Sequence, residues 1–141
     1  MMTKKAKEIW IPIRKLSGEC SLYSINYDAN SLNIELEPFN NKSLIDVSFD
    51  SVFAYRLTLE HFRWNGIPPV NKREHPLYIV ENSMYINWLL DEGLKQLYGT
   101  TLPLKHYVLY CTEHIIDIIS SEIVISNNNS SSSDNYIYKK H

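Results

Sequence analysis

The amino-acid sequence predicts an α+β domain: a mainly antiparallel sheet of about 6–8 strands, with one principal helix at about residues 84–98 packed on one face. Several short segments alternate apolar and polar residues, whereas only one long segment has helical periodicity. The 141 residues include 10 Tyr and few Gly, a composition that suits pleated surfaces. This length is sufficient for one buried core without metal or disulfide cross-links.

The first elements are predicted to be an edge strand and a β-hairpin. Residues 9–14 alternate between isoleucine and other residues, and Pro12 cannot donate a ladder hydrogen bond, which places this strand at an edge. Leu22–Tyr27 and Leu32–Glu37 flank the turn-forming Asp28–Ser31. The second of these runs has an apolar and a polar face, so we expect that side of the sheet to meet water.

The next segments are predicted to be strands on either side of a turn. Leu44–Phe49 reads as a strand, and Asp50–Ser51 as a turn. Val52–Phe62 is ambiguous, because the spacing of its largest apolar residues also fits a helix. Its β-branched and aromatic residues favour a strand.

The longest internal loop covers Arg63–Pro76 and contains three prolines and a glycine. Adjacent prolines exclude helix, and loops often carry function. Trp64 lies beside Arg63, and these residue types often dominate binding surfaces. The alternative is that Trp64 anchors the loop in the core.

A short buried strand, Leu77–Val80, is predicted to precede the helix Met84–Tyr98. Asn82 or Ser83 can cap its first amides, and Gly99 ends it. The helix is expected to pack on the sheet through an apolar stripe with helical spacing. The stripe comprises Ile86, Leu90, Leu94 and Leu97, with Leu89 beside them.

The last elements are a second hairpin and a tail. His106–Cys111 and His114–Ile119 flank Thr112–Glu113, and a further strand is expected at Ile123–Ile125. From residue 126 to residue 135 every residue is Ser, Asn or Asp, too polar to offset the entropy of ordering. We therefore expect a single globular domain at residues 1–125 and a flexible polar tail at residues 126–141.

Composition limits the classes of partner. The formal net charge of −2 disfavours nucleic-acid binding, and the lysines near the start read as solvated surface charge. No segment is long and apolar enough for a signal peptide or a membrane span. We expect a cytoplasmic protein that binds neither nucleic acid nor membrane.

The sequence contains no recognised catalytic or metal-binding motif. Cys20 and Cys111 are too few for a disulfide framework or a zinc site and are expected to be free thiols, although their separation in space is left open. The histidines lack zinc spacing, so we predict no metal and no cofactor. Cys111 and His114 would form a minimal nucleophile–base pair, but no residue is specified to orient the imidazole, and we predict no catalytic residue.

Two parts of the chain resemble a known group of proteins. They are Phe49–Glu60, and Ser83–Trp88 followed by His106–Ile119. Together they resemble small bacterial proteins found near polymorphic toxin genes, some of which look like immunity proteins of contact-dependent inhibition systems. The shared motifs are structural and transfer no catalytic residue. Arg56 and Glu60 match the pattern, which suggests a structural ion pair between them.

The resemblance implies an immunity protein that binds and neutralises a cognate toxin domain by stoichiometric occlusion. The residues expected to contact the toxin are Arg63, Trp64, Asp91 and Glu92; the acids would suit a basic toxin. One alternative is a small-ligand-binding protein or enzyme with a pocket between helix and sheet, in which such charges could do acid–base work. Another is an oligomeric module that pairs through the edge strand near Pro12. The oligomeric state is left open.

Overall fold

A computed structural model describes residues 7–40, 43–98, 103–127 and 136–138. They form one eight-stranded sheet, in the order β1-β5-β6-β7-β4-β3-β2 with β8 beside β7, and its strand pairs are antiparallel. The strands are β1 Ile9–Pro12, β2 Cys20–Asp28, β3 Ser31–Pro38, β4 Ile45–Leu59, β5 Leu77–Glu81, β6 Lys105–Tyr110, β7 His114–Asn127 and β8 Tyr136–Tyr138. The helical segments are α1 Met84–Leu89, a π-helical turn Leu90–Leu94 and α2 Lys95–Tyr98, with 3-10 turns at Glu60–Phe62 and Trp64–Gly66. The predicted α+β class is confirmed.

The inner face of the sheet encloses the main core. Strands β2 to β7 each place apolar side chains there, including Leu32 and Phe49. The sheet curves until β2 reaches the β6–β7 turn, where the Thr112 amide donates to the Cys20 carbonyl at 2.9 Å. The connection from β1 to β2 crosses between the two ends of the sheet and buries Leu16 in the core. The curvature therefore removes most of one face from water.

The outer face is divided into a polar half and a covered half. On β2, β3 and β4 it carries polar pairs, such as Ser24 with Glu35 at 2.6 Å. This agrees with the predicted hydrated face of the first hairpin. On β1, β5, β6 and β7 it carries a second apolar cluster, centred on Trp10, Tyr78 and Tyr110. Residues of the loop at 63–76 pack against this cluster, and α1 lies over β6 beside it.

The predicted hairpins and the edge strand are confirmed. The β2–β3 turn places Ala29 and Asn30 at φ 49° and 69°, the left-handed conformation that two-residue hairpin turns require. Strand β1 lies at the end of the sheet and pairs only with β5 among the described strands, so Pro12 leaves no interior ladder position empty.

Two predicted boundaries are wrong. Asp50–Ser51 does not end a strand, because β4 runs from Ile45 to Leu59 in one piece. Ser51 has φ 54° and the pairing register with β7 shifts between Val52 and Ala54, which is a β-bulge. A bulge takes up an extra residue and bends the strand without ending it. In the same way, the separate strand predicted at Ile123–Ile125 is the second half of β7.

The helix occupies the predicted range but is not one regular α-helix. Gly93 has φ 154°, a backbone conformation that other residues rarely adopt, and the π turn contains it. Tyr85 is the buried residue of α1, whereas Ile86 and Leu90 of the predicted stripe are only half-buried. The side chains of Leu94 and Leu97 lie outside the described residues. The helix thus docks mainly through its first turn.

The predicted tail lies only partly within the described residues. Residues 126 and 127 complete β7, and Tyr136–Tyr138 pairs with Ile123–Ile125 as β8. Residues 128–135 and 139–141 lie outside the described part of the chain. No helix in the described part is long and apolar enough to cross a bilayer.

Candidate functional site: a buried polar network beside an open groove

A carboxylate without exposed surface joins three parts of the fold. Asp117 of β7 hydrogen bonds through Oδ1 to His106 Nε2 of β6 at 2.7 Å. Its Oδ2 accepts from Arg56 Nε of β4 at 2.9 Å and from the guanidinium of Arg63 in the long loop. We refer to these four residues together with Ser83 as the Asp117 network. It lies on the covered half of the outer face.

The network keeps Asp117 ionised. Burial alone would raise the pKa of this carboxyl, but the hydrogen bond with His106 and the positive charges of Arg63 and Arg56 outweigh burial and lower the pKa below its usual value. A buried carboxylate is tolerated when its charge is balanced and its oxygens accept hydrogen bonds.

The network also fixes the start of α1. His106 Nδ1 is 2.7 Å from Ser83 Oγ, and that oxygen accepts from the Ile86 amide at 2.9 Å. Ser83 is therefore the N-cap, one of the two residues predicted for this role. The Tyr85 ring stands edge-on to His106, and the Arg56 guanidinium lies 4.3 Å from its centroid. Helix and sheet are thus joined by hydrogen bonds and by aromatic contact.

Ser83, His106 and Asp117 are the residue types of a hydrolytic triad, but their arrangement differs from one. In a serine protease the hydroxyl bonds to Nε2 and the aspartate to Nδ1, whereas here the two nitrogens are exchanged. The Ser83 hydroxyl is buried and already caps a helix, and two arginines balance the charge of Asp117. These features favour a structural role.

Sequence reasoning did not find this network, because its members are far apart in the chain and match no motif. One signal was available. His106 and Asp117 are charged or titratable residues inside otherwise apolar strands, and such residues need a partner when buried.

An open groove of about 1110 Å³ lies between the long loop and α1. Residues 65–69 form one wall, and Met84, Trp88 and Asp91 line the other. The Met84 and Trp88 side chains are 62% and 55% exposed. Large apolar side chains with this exposure, gathered around a concavity, mark an interaction site more often than an inert surface. The groove lies between helix and loop, not between helix and sheet.

The four predicted contact residues do not all lie at this groove. Asp91 lines it, and Trp64 is 68% exposed next to the loop wall, so Trp64 does not anchor the loop in the core. Glu92 is exposed beside Asp91 but does not line the groove. Arg63 is largely buried against Asp117. Sequence reasoning missed Trp88, although its position four residues after Met84 places both on one helix face.

A second polar cluster holds the far part of the long loop. Lys72 Nζ donates to both oxygens of Glu60, at 2.8 and 2.9 Å, and the Tyr110 hydroxyl donates to Glu60 Oε2. Burial would raise the pKa of Glu60, but these hydrogen bonds lower it. The ion pair suggested between Arg56 and Glu60 is therefore wrong, since each binds a different partner.

The two cysteines are free and buried, and both lie where β2 reaches the β6–β7 turn. Burial raises the pKa of Cys20 to about 11 and raises that of Cys111 as well. The Cys111 amide donates a backbone hydrogen bond of 2.8 Å to the His114 carbonyl. Because burial keeps the Cys111 thiol protonated, it is a weak nucleophile. Among the described residues no group of three or more His, Cys, Asp or Glu side chains is placed to hold a metal ion.

Comparisons with known proteins add no relative: no family model, no curated protein and no solved structure matches the chain. The resemblance to immunity proteins therefore stays a prediction.

Replacing Asp117 by Asn is expected to destabilise the fold by about 3–5 kcal/mol at pH 7, because two guanidinium groups lose their counter-charge. Arg56→Gln is the matched control. Arg56 is 45% exposed, so its loss is expected to lower the free energy of unfolding by only about 1 kcal/mol. Urea unfolding followed by circular dichroism measures both.

The Asp117 effect should depend on pH. Because folding lowers the pKa of Asp117, its contribution is fully present above the unfolded value of about 3.9 and is lost as the pH falls through the folded value. The stability difference between wild type and Asp117→Asn should therefore shrink below about pH 4. A difference that stays constant down to pH 2 would contradict this interpretation.

Proposed function

We propose that this chain is a protein-binding domain that neutralises a bacterial toxin domain in the cytoplasm by binding it in the groove between the long loop and α1. One observation carries the proposal: exposed Met84 and Trp88 face the adjacent prolines Pro68 and Pro69 across an open concavity. The immunity role rests on the resemblance described above.

The groove suits a protein partner because prolines and hydrogen bonds constrain its walls and because its exposed residues are large. Trp and Met contribute large contact areas, and a few such residues supply most of the binding energy of an interface. Pro68 and Pro69 restrict the backbone of one wall. The Asp117 network fixes the first turn of the other through Ser83, so little order would have to be gained on binding.

The charges at the groove favour a partner segment with lysine or arginine beside its apolar residues. Asp91 and Glu8 line the groove against Lys7, and the exposed Glu92 follows Asp91. Such complementarity mainly speeds association and excludes wrong partners. A stable complex would bury about 1,600 Å² in total, so the contact would extend past the groove to Trp64.

Trp88→Ala is expected to weaken toxin binding about 30-fold or more, since a central aromatic anchor contributes about 2 kcal/mol or more. Tyr23→Ala is the matched control, because Tyr23 is an equally exposed aromatic residue on β2, away from the groove. The proposal expects the toxin to be encoded next to this chain, so the domain encoded there is the partner to test, and calorimetry measures the affinity. Co-expression should restore growth with wild type and Tyr23→Ala.

If cells expressing the toxin die despite the wild-type chain, and no complex survives gel filtration, the proposal is wrong. If a complex forms and protects but Trp88→Ala binds as tightly as Tyr23→Ala, neutralisation stands and the groove is the wrong surface.

Hydrolysis is a second candidate function, favoured only by the contact of Ser83, His106 and Asp117. A fluorophosphonate probe labels serine hydroxyls that are activated as nucleophiles. We expect no labelling of the wild-type chain, because the Ser83 hydroxyl caps α1 and lies buried. Labelling that is lost in Ser83→Ala would instead support a hydrolase.

A further inference from the structure

The second half of β4 has an open edge. Strand β3 pairs with β4 only along Ile45–Phe49, and beyond the bulge β4 pairs with β7 alone among the described strands. The Glu60 amide donates to the Glu113 carbonyl of the β6–β7 turn, and bonded pairs alternate along an antiparallel ladder. Counting back along β4 from this bond, the amides and carbonyls of residues 58 and 56 also point towards β7. Residues 55, 57 and 59 therefore direct their amides and carbonyls to the open edge.

The side chains along this edge are apolar and exposed. Tyr55, Leu57 and Leu59 share the inner side of the sheet with residues of the core, yet Leu57 is 46% exposed. Arg56 is the one charged residue between 54 and 59, and Asp117 binds it. An edge of this kind, whose backbone groups pair with no described strand and which carries no charge to repel a neighbour, is a template for another strand.

The two ends of the sheet differ from this segment. Strand β1 carries Pro12, which cannot donate, and β2 carries a bulge between Leu22 and Ser24. Both features discourage pairing with another chain. The edge of β4 lacks both over residues 54–59, so its open backbone is consistent with an interface.

We propose that this edge pairs with the same edge of a second copy of the chain, antiparallel and centred on Leu57. The segment is self-complementary in that register. Leu57 lies opposite its own equivalent, Tyr55 lies opposite Leu59, and Arg56 lies opposite Thr58, so no like charges meet. Leu57 also directs its amide and carbonyl outward, as a bonded pair on the two-fold axis requires. A closed two-fold dimer is the commonest symmetric assembly.

A cysteine cross-link tests the register. In the proposed dimer the two Leu57 Cα atoms lie about 5.5 Å apart, within the range that a disulfide spans. Leu57→Cys should therefore form a covalent dimer under mild oxidation. Leu59→Cys is the matched control, because its two copies would lie about 13 Å apart along the strands. The native Cys20 and Cys111 are buried and should not interfere.

The solution mass tests the assembly itself. Light scattering of the wild-type chain should give twice its 16.5 kDa, and Leu57→Lys should give a monomer with unchanged circular dichroism. Tyr23→Lys and the groove variant Trp88→Ala should both stay dimeric, which separates this interface from the proposed toxin site. A monomeric wild type, a dimer that survives Leu57→Lys, or equal cross-linking of Leu59→Cys would each overturn the proposal.

Discussion

The rest of the structure depends on one buried charge, the Asp117 carboxylate. It lies fully buried near the start of β7, where a lone charge would be strongly unfavourable, and is balanced by Arg56 from β4 and Arg63 from the long loop. Through His106 the same carboxylate reaches Ser83 and the first amides of α1. The groove has its two walls, loop and helix, because one residue of the sheet holds both.

This arrangement explains why the outer face of the sheet is half covered. The second apolar cluster lies on β1, β5, β6 and β7, and there the loop and helix help to remove it from water. Apolar packing is non-directional and does not by itself fix the position of a loop. Buried hydrogen bonds are directional, so they fix where the loop and the helix lie. The Lys72–Glu60 pair holds the far part of the loop in the same manner.

Most of the strands could be predicted because apolar and polar residues alternate along each of them, which indicates that one face of the strand is buried. Leu32, Ile34 and Leu36 are fully buried, as their spacing predicts. The continuity of β4 and β7 could not be predicted, because Asp50–Ser51, just before the bulge between Val52 and Ala54, are residues that also form turns. Periodicity also identified the helix but not its docking, which depends on Tyr85 and on contacts with β6.

The candidate site was less accessible to sequence reasoning. Asp91 lines the groove and Trp64 lies beside it, but Arg63 pairs with the buried Asp117. A sequence cannot show which arginine contacts a buried acid.

The central claim is that the Asp117 network holds α1 on the sheet. Amide hydrogen exchange of the His106→Ala variant tests this claim most directly. The Ile86 amide should exchange at least about tenfold faster than in wild type, while β3 amides stay unchanged. Unchanged protection of Ile86 would contradict the claim.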